Sequence, residues 1–168
     1  VLPDRIQEDI EFELSEIDSL FQLYHKELLD MERSPNLVEL TALASVLHSF
    51  YNGIEKTLLI IAKNIDKKIP SDFNWHKSLL HQMTKENRHR KAVLTGDMKN
   101  ELLKYLGFRH FFRHSYSIHL KWERMEELAK PLRIVWEKFK AEISAFDIKT
   151  SDETETPEGQ KGSRSKSD

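Results

Sequence analysis

The chain has 168 residues, 39% of them hydrophobic and 32% charged, with a net charge of −2. That is enough apolar material for one domain with a real core, and the near-neutral balance carries no global nucleic-acid signal, so any such signal has to be local. Cysteine is absent, which excludes disulfides and thiolate zinc sites and fits a reducing compartment. No apolar run approaches the roughly 18 residues of a membrane span, and nothing before Asp4 reads as a signal peptide. The expected location is the cytoplasm, with no membrane partner.

Glycine and proline number only five each, which favours helix. Ile10, Leu14, Ile17, Phe21, Tyr24 and Leu28 follow at steps of 4, 3, 4, 3 and 4 residues. That spacing predicts a helix with one apolar stripe from about Asp4 to Met31. Ser34-Pro35-Asn36 interrupts it. Asn36 can cap the next helix, with Glu39 three residues on as in a capping box. The second helix carries Leu40, Leu43, Leu47, Phe50, Ile54, Leu58, Ile61 and Ile65. It spans about 28 residues, or roughly 42 Å. Asn64 to Asn74, holding Pro70, reads as a connector. Trp75 to Met83 reads as a short helix with Leu79, Leu80 and Met83 inward.

Thr84 to Gly96 is polar and basic and reads as a loop. Asp97 is the expected cap of another short helix that ends at Leu106-Gly107. Phe108 to about Ala129 is expected to form one long helix. Pro131 suits the first turn of a last helix reaching Phe146. From Asp147 onward Ile148 is the lone aliphatic residue and no aromatic occurs. A disordered polar tail over 147–168 is therefore expected behind one helical domain over 1–146. The expected fold is an all-α, up-down bundle of four to six helices.

The segment Lys104 to Arg124 differs from the rest. It holds Lys104, Arg109, His110, Arg113, His114, His119, Lys121 and Arg124 against one interior acid, Glu123. On a continuous helix at about 100° per residue, Phe111, Ser115, Ile118, Trp122 and Met125 share the sector expected to face the core. Arg109, His110, Arg113, His114, Ser117, Lys121 and Arg124 fill the adjoining sector, and Tyr116 lies close to Arg109. Such a face suits phosphate. Arginine offers a planar fork of donors that stays charged, and histidine titrates near neutral pH and moves protons. RNA cleavage through the 2′-hydroxyl needs those parts: a base, a cation for the phosphorane, and an acid for the leaving oxygen. The bland alternative is a solvated charge stripe.

Arg109-His110-Phe111-Phe112-Arg113-His114-Ser115-Tyr116 has the pattern Arg-x4-His-x-Tyr and resembles the signature of HepT-like proteins, a branch of the HEPN superfamily. Asn52-Gly53-Ile54-Glu55-Lys56 resembles the family's polar positions on its second helix. The run from Trp75 to Met83 resembles its tryptophan-led central helix, and Gly107-Phe108-Arg109 its entry to the motif. The resemblance covers about residues 4 to 146.

It implies a homodimer with two motifs facing one another across a cleft, and endoribonuclease activity on RNA, transfer RNA being one plausible substrate. It also implies a cognate nucleotidyltransferase antitoxin that transfers AMP to Tyr116. ATP and magnesium would belong to that partner, and this chain needs no cofactor. The resemblance makes Arg109 and His114 the catalytic pair, with Asn52 and Glu55 as supporting polar contacts. Glu55 reads equally well as a surface carboxylate. His110, Arg113 and Lys121 are expected to hold RNA.

Other histidines read as bland. His76 and His81 stand five apart, poor spacing for two metal ligands on one helix, and His25 and His48 read as rim or core residues. No carboxylate–histidine cluster suggests a metal site. Trp75, Trp122 and Trp136 read as core or dimer packing. The Lys85–Lys91 run, with Arg88 and Arg90, reads as a solvated loop or a holder of RNA backbone. The competing functions are a non-catalytic HEPN module that binds or presents substrate to a nucleotidyltransferase, and a plain bundle with an electrostatic patch.

Overall fold

The computed structural model describes residues 2–24, 29 and 33–146. Six α-helices and one short 3-10 turn make up these residues, with no strand among them: α1 (Asp4–Leu23), α2 (Leu37–Asn64), α3 (Trp75–Met83), α4 (Gly96–His114), the turn Ser117–His119, α5 (Trp122–Ala129) and α6 (Leu132–Ala145). The expected continuation of the first helix past Tyr24, with His25 and Leu28, and the expected tail over 147–168 lie outside the described residues.

The helix α2 is the axis of the bundle. Half of its 28 residues are buried, more than one stripe can supply, because α1, α3, α4 and α5 all pack on it. Its start is built as the sequence predicts. The Asn36 side chain accepts from the Val38 and Glu39 amides at 2.9 and 3.0 Å, and Glu39 accepts from the Asn36 amide at 2.8 Å. The first helix lies close against α2: a Cβ on Gly53 would come within 2.6 Å of Ile17 Cδ1. Phe21, Phe50, Tyr105, Trp136 and Phe139 form the aromatic centre of the core. Each large apolar side chain buried there stabilises the fold by about 1.5–3 kcal/mol. The Trp136 indole donates to Asp18 at 2.7 Å, tying α6 to α1.

Two features depart from the sequence reading. The helix α4 runs from Gly96 to His114 straight through Gly107, and Thr95 rather than Asp97 caps it, its hydroxyl accepting from the Met98 amide at 3.1 Å. The same Thr95 hydroxyl donates to Glu142 at 2.7 Å, joining the start of α4 to α6. The second departure is at the far end. The expected long helix from Phe108 to Ala129 is broken at Ser115 and Tyr116, both extended. The reason is phase. Met98, Leu102, Tyr105 and Arg109 form the buried stripe of α4. A straight continuation would turn Met125 about 160° away from that stripe, yet Met125 and Leu128 are buried. The break resets the rotation. It falls where Ser, Tyr, Ser, Ile and His follow one another, all weaker helix formers than Ala or Leu. Phe111 and Ile118, expected to face the core, are exposed as a result.

The basic loop between α3 and α4 has a rigid anchor. Arg90 is fully buried and forks onto Asp66 at 2.6 and 2.7 Å, while donating to the carbonyls of Lys85, Lys91 and Gln82. Burial pushes the Asp66 carboxyl up, but hydrogen bonds from Arg90, Gln82 and Asn87 and the Arg90 charge hold it below its ordinary value. Arg90 therefore shapes the loop and cannot reach an RNA backbone.

Candidate active site

The stripe that buries Leu102 and Tyr105 also carries Arg109 inward, where the sequence reading placed it among the outward cations. The residue is 8% exposed, and its guanidinium meets α2. Nε donates to Asn52 Oδ1 at 2.8 Å and Nη2 to Glu55 Oε1 at 3.3 Å, while the buried Nη1 has no partner. Asn52 and Glu55, three residues apart on α2, thus share one helix face, and both expected supporting residues meet Arg109. Glu55 is buried, not a surface carboxylate.

Two histidines read as bland belong to the same network. The Nδ1 of His76, on the first turn of α3, donates to Glu55 Oε2 at 2.5 Å. The His76 ring stacks on Trp75 at 3.7 Å between centroids and meets His110 edge-on at 5.4 Å. Glu55 therefore bridges a guanidinium and an imidazole. A carboxylate behind Nδ1 keeps a proton on that nitrogen and fixes the orientation of the ring. The opposite end is set by Asn52. Its oxygen faces the Arg109 donor, so its amide nitrogen must face His48 Nε2, at 3.0 Å. His48 Nε2 then accepts, and the ring is neutral with its proton on Nδ1. Burial first, then the charges of Arg109 and Arg113, hold His48 below the ordinary histidine range. Partial burial, His76, Arg109 and Arg113 depress His110 in the same direction, against a smaller opposing pull from Glu55. A neutral imidazole at pH 7 is a competent proton acceptor.

The remaining expected residues stand apart from this cluster. His114 is the last residue of α4 and is exposed, as is Arg113. Arg109 and His114 stand five positions apart, which turns their side chains about 140° from one another on one helix. The single chain does not bring the expected catalytic pair together. Tyr116, just past the helix end, is 78% exposed. Lys121 caps α5 and lines a groove of about 370 Å³ with Lys104, Phe111 and Arg124, which neither Arg109 nor His110 lines. Among the described residues, no group of three His, Asp or Glu side chains is placed to hold a metal ion, and no helix is long and apolar enough to cross a membrane.

Reading Arg109 as surface cation followed from starting the helix at Phe108. Counted from Met98, the 4, 3, 4 spacing through Leu102 and Tyr105 reaches Arg109 directly. His48 and His76 left a weaker trace: His48, Asn52 and Glu55 lie at helical spacing, but nothing in one sequence links them to residue 76.

The chain is an all-α bundle that holds its motif arginine against polar residues of its central helix. A comparison with protein-family models matches the family described as HepT-like protein over residues 42–150, and the chain belongs to that family. The matched span includes Asn52, Glu55, His76 and the whole Arg-x4-His-x-Tyr segment. No curated protein and no solved structure matches the chain. The HepT-like family is associated with RNA-cutting toxins that pair with an antitoxin.

Proposed function

We propose that the chain is the toxin of a toxin–antitoxin pair, an endoribonuclease that works without a metal ion and with Arg109 and His114 as its catalytic residues. The observation that carries this reading is the state of Arg109. Two contacts hold its guanidinium in place, and Nη1 keeps a donor with no acceptor. An unsatisfied buried donor costs about 1–3 kcal/mol, and a phosphate oxygen is the acceptor that suits a fixed guanidinium best. In this reading a neutral imidazole takes the proton of a ribose 2′-hydroxyl, whose oxygen attacks the adjacent phosphorus. Arg109 stabilises the phosphorane, and a protonated imidazole gives its proton to the departing 5′-oxygen. The products are a 2′,3′-cyclic phosphate and a 5′-hydroxyl. His114 is one of the two proton carriers. His110, Arg113 and Lys121 hold the backbone of the RNA.

The 140° between Arg109 and His114 is accommodated by a second copy of the chain, one protomer offering the arginine and its partner the histidine. Tyr116 is the residue a nucleotidyltransferase would modify: it is exposed, and AMP attached there brings a bulky phosphate close to the cations that RNA needs. The inward position of Arg109 also favours a second reading, a non-catalytic HEPN module whose motif arginine only clamps α4 to α2.

One assay separates them. Purified chain is incubated with RNA, with and without EDTA, beside Arg109→Ala, His114→Ala and Tyr116→Phe. We expect cutting that EDTA leaves unaltered, that either alanine variant loses by at least about 100-fold, and that Tyr116→Phe retains while escaping inactivation by the partner enzyme and ATP. No cutting by the wild type, or cutting that both alanine variants retain in full, would remove the nuclease assignment and leave the clamp; undiminished cutting by His114→Ala alone would remove His114 from the catalytic pair.

A further inference from the structure

A groove of about 1030 Å³ lies away from the motif, along the outer side of α3. Cations reach it from three separate pieces of chain: Lys68 on the α2–α3 connector, Lys77 on α3, and Lys85 and Arg88 on the α3–α4 loop. Among the described residues, Lys68, Lys77 and Lys85 enter no ion pair. Three carboxylates also line the groove, but they do not cancel the cations. Asp66 is paired from beneath with Arg90, and the two carboxylates of Asp72 and Glu86 stand against the four cations of Lys68, Lys77, Lys85 and Arg88. His81 and His89 add two further rings. Beside the groove, Phe73 is 99% exposed and Ile69 46% exposed. The core does nothing with either side chain.

Cations that track a backbone, next to an aromatic ring with both faces bare, are what a single-stranded nucleic acid requires: phosphates meet the charges and a base stacks on the ring. A duplex cannot offer an unstacked base. We infer that this groove is an RNA-binding exosite for a single-stranded stretch flanking the cut, with Phe73 as its stacking platform and Lys77, Lys85 and Arg88 as its phosphate contacts. The inference rests on the nuclease reading for its choice of RNA. The groove is also connected to the proposed site: Lys77 follows His76 on α3, so an RNA bound at one reaches the other along a single helix. The buried Arg90–Asp66 pair keeps the loop cations in place before any RNA arrives.

The test is fluorescence anisotropy of a labelled single-stranded RNA against the full chain carrying His114→Ala, so that nothing is cut. Two further variants are compared in that background, Phe73→Ala and the triple Lys77→Ala/Lys85→Ala/Arg88→Ala, each first shown to melt like its parent. Phe73→Ala is expected to weaken binding about fivefold or more. The triple variant is expected to flatten the slope of log affinity against log salt by about 2, near 0.7 for each lost phosphate contact. A slope and affinity unchanged in both variants overturns the inference. So does equal binding of duplex and single-stranded RNA that ignores Phe73. Retained RNA affinity with loss of binding to a polyglutamate peptide reassigns the groove to an acidic protein and likewise overturns it. The two readings fail separately. A chain that binds RNA here and never cuts defeats the nuclease alone. Cutting with an unchanged KM by the same triple variant made with His114 intact defeats the exosite alone.

Discussion

At the scale of single residues, the chain of contacts His48–Asn52–Arg109–Glu55–His76 places a histidine ring at each end of the network around the proposed catalytic arginine. His48 has the simpler consequence. Its Nε2 must accept from Asn52, so a proton arriving there opposes an amide N–H and loosens the grip on Arg109. The folded chain holds this ring below the value near 6.5 that it has when unfolded. A depressed pKa contributes stability that is complete above the unfolded value and is lost as pH falls through the folded one. We therefore expect thermal stability to drop as pH is lowered below about 6.5, in a step that His48→Gln reduces, since a glutamine oxygen can accept from Asn52 without titrating, the remainder coming from His110, which is depressed in the same direction. Melting curves between pH 7.5 and 5 read this directly. An identical drop in His48→Gln would mean another group is responsible. Of this network the resemblance implied Arg109, Asn52 and Glu55, but neither histidine was legible in the chain as written. His48 and His76 are ordinary residues on amphipathic helices until the bundle closes, and only the packing of α3 on α2 brings residue 76 to residue 55.

At the scale of elements, the helices and their caps were largely legible, because hydrophobic spacing and capping chemistry are local. The box at Asn36 and Glu39, the length of α2 and the tryptophan at the start of α3 all follow from neighbouring residues. The errors lie where a local sign was overruled. Gly107 looked like a helix terminator, yet it sits in the interior of α4, exposed, with open space where a Cβ would stand. The break at Ser115 carries no glycine or proline and answers a tertiary demand, the burial of Met125 and Leu128. A glycine in an exposed helix interior costs about 0.5–1 kcal/mol relative to alanine. Gly107→Ala should therefore raise stability by about that amount in a denaturant titration, with no change in the slope of unfolding. A loss of stability instead would show that α4 bends or frays at this point. If the variant is more stable but cuts RNA less well, the missing side chain serves a close approach in the groove it lines with Lys121.

At the scale of the whole molecule, the motif places the two groups of the proposed catalytic pair on opposite sides of one helix. No rotamer change closes about 140° of helical rotation, so a working site needs either a different bend at Ser115 or another protomer. The two routes predict opposite results in a mixing experiment. Arg109→Ala and His114→Ala chains are each expected to be inactive. Denatured together and refolded at equal concentration, they form mixed dimers in half of all pairs. In a two-fold symmetric dimer whose sites take the arginine from one copy and the histidine from the other, a mixed dimer has one doubly damaged site and one intact site. Activity should return to about a quarter of the wild-type level. If both groups come from the same chain, every site in the mixture lacks one of them and nothing returns. Size-exclusion chromatography of the wild type sets the premise: a chain that stays monomeric at assay concentration while cutting RNA would leave rearrangement at Ser115 and Tyr116 as the way the imidazole reaches the phosphate held by Arg109.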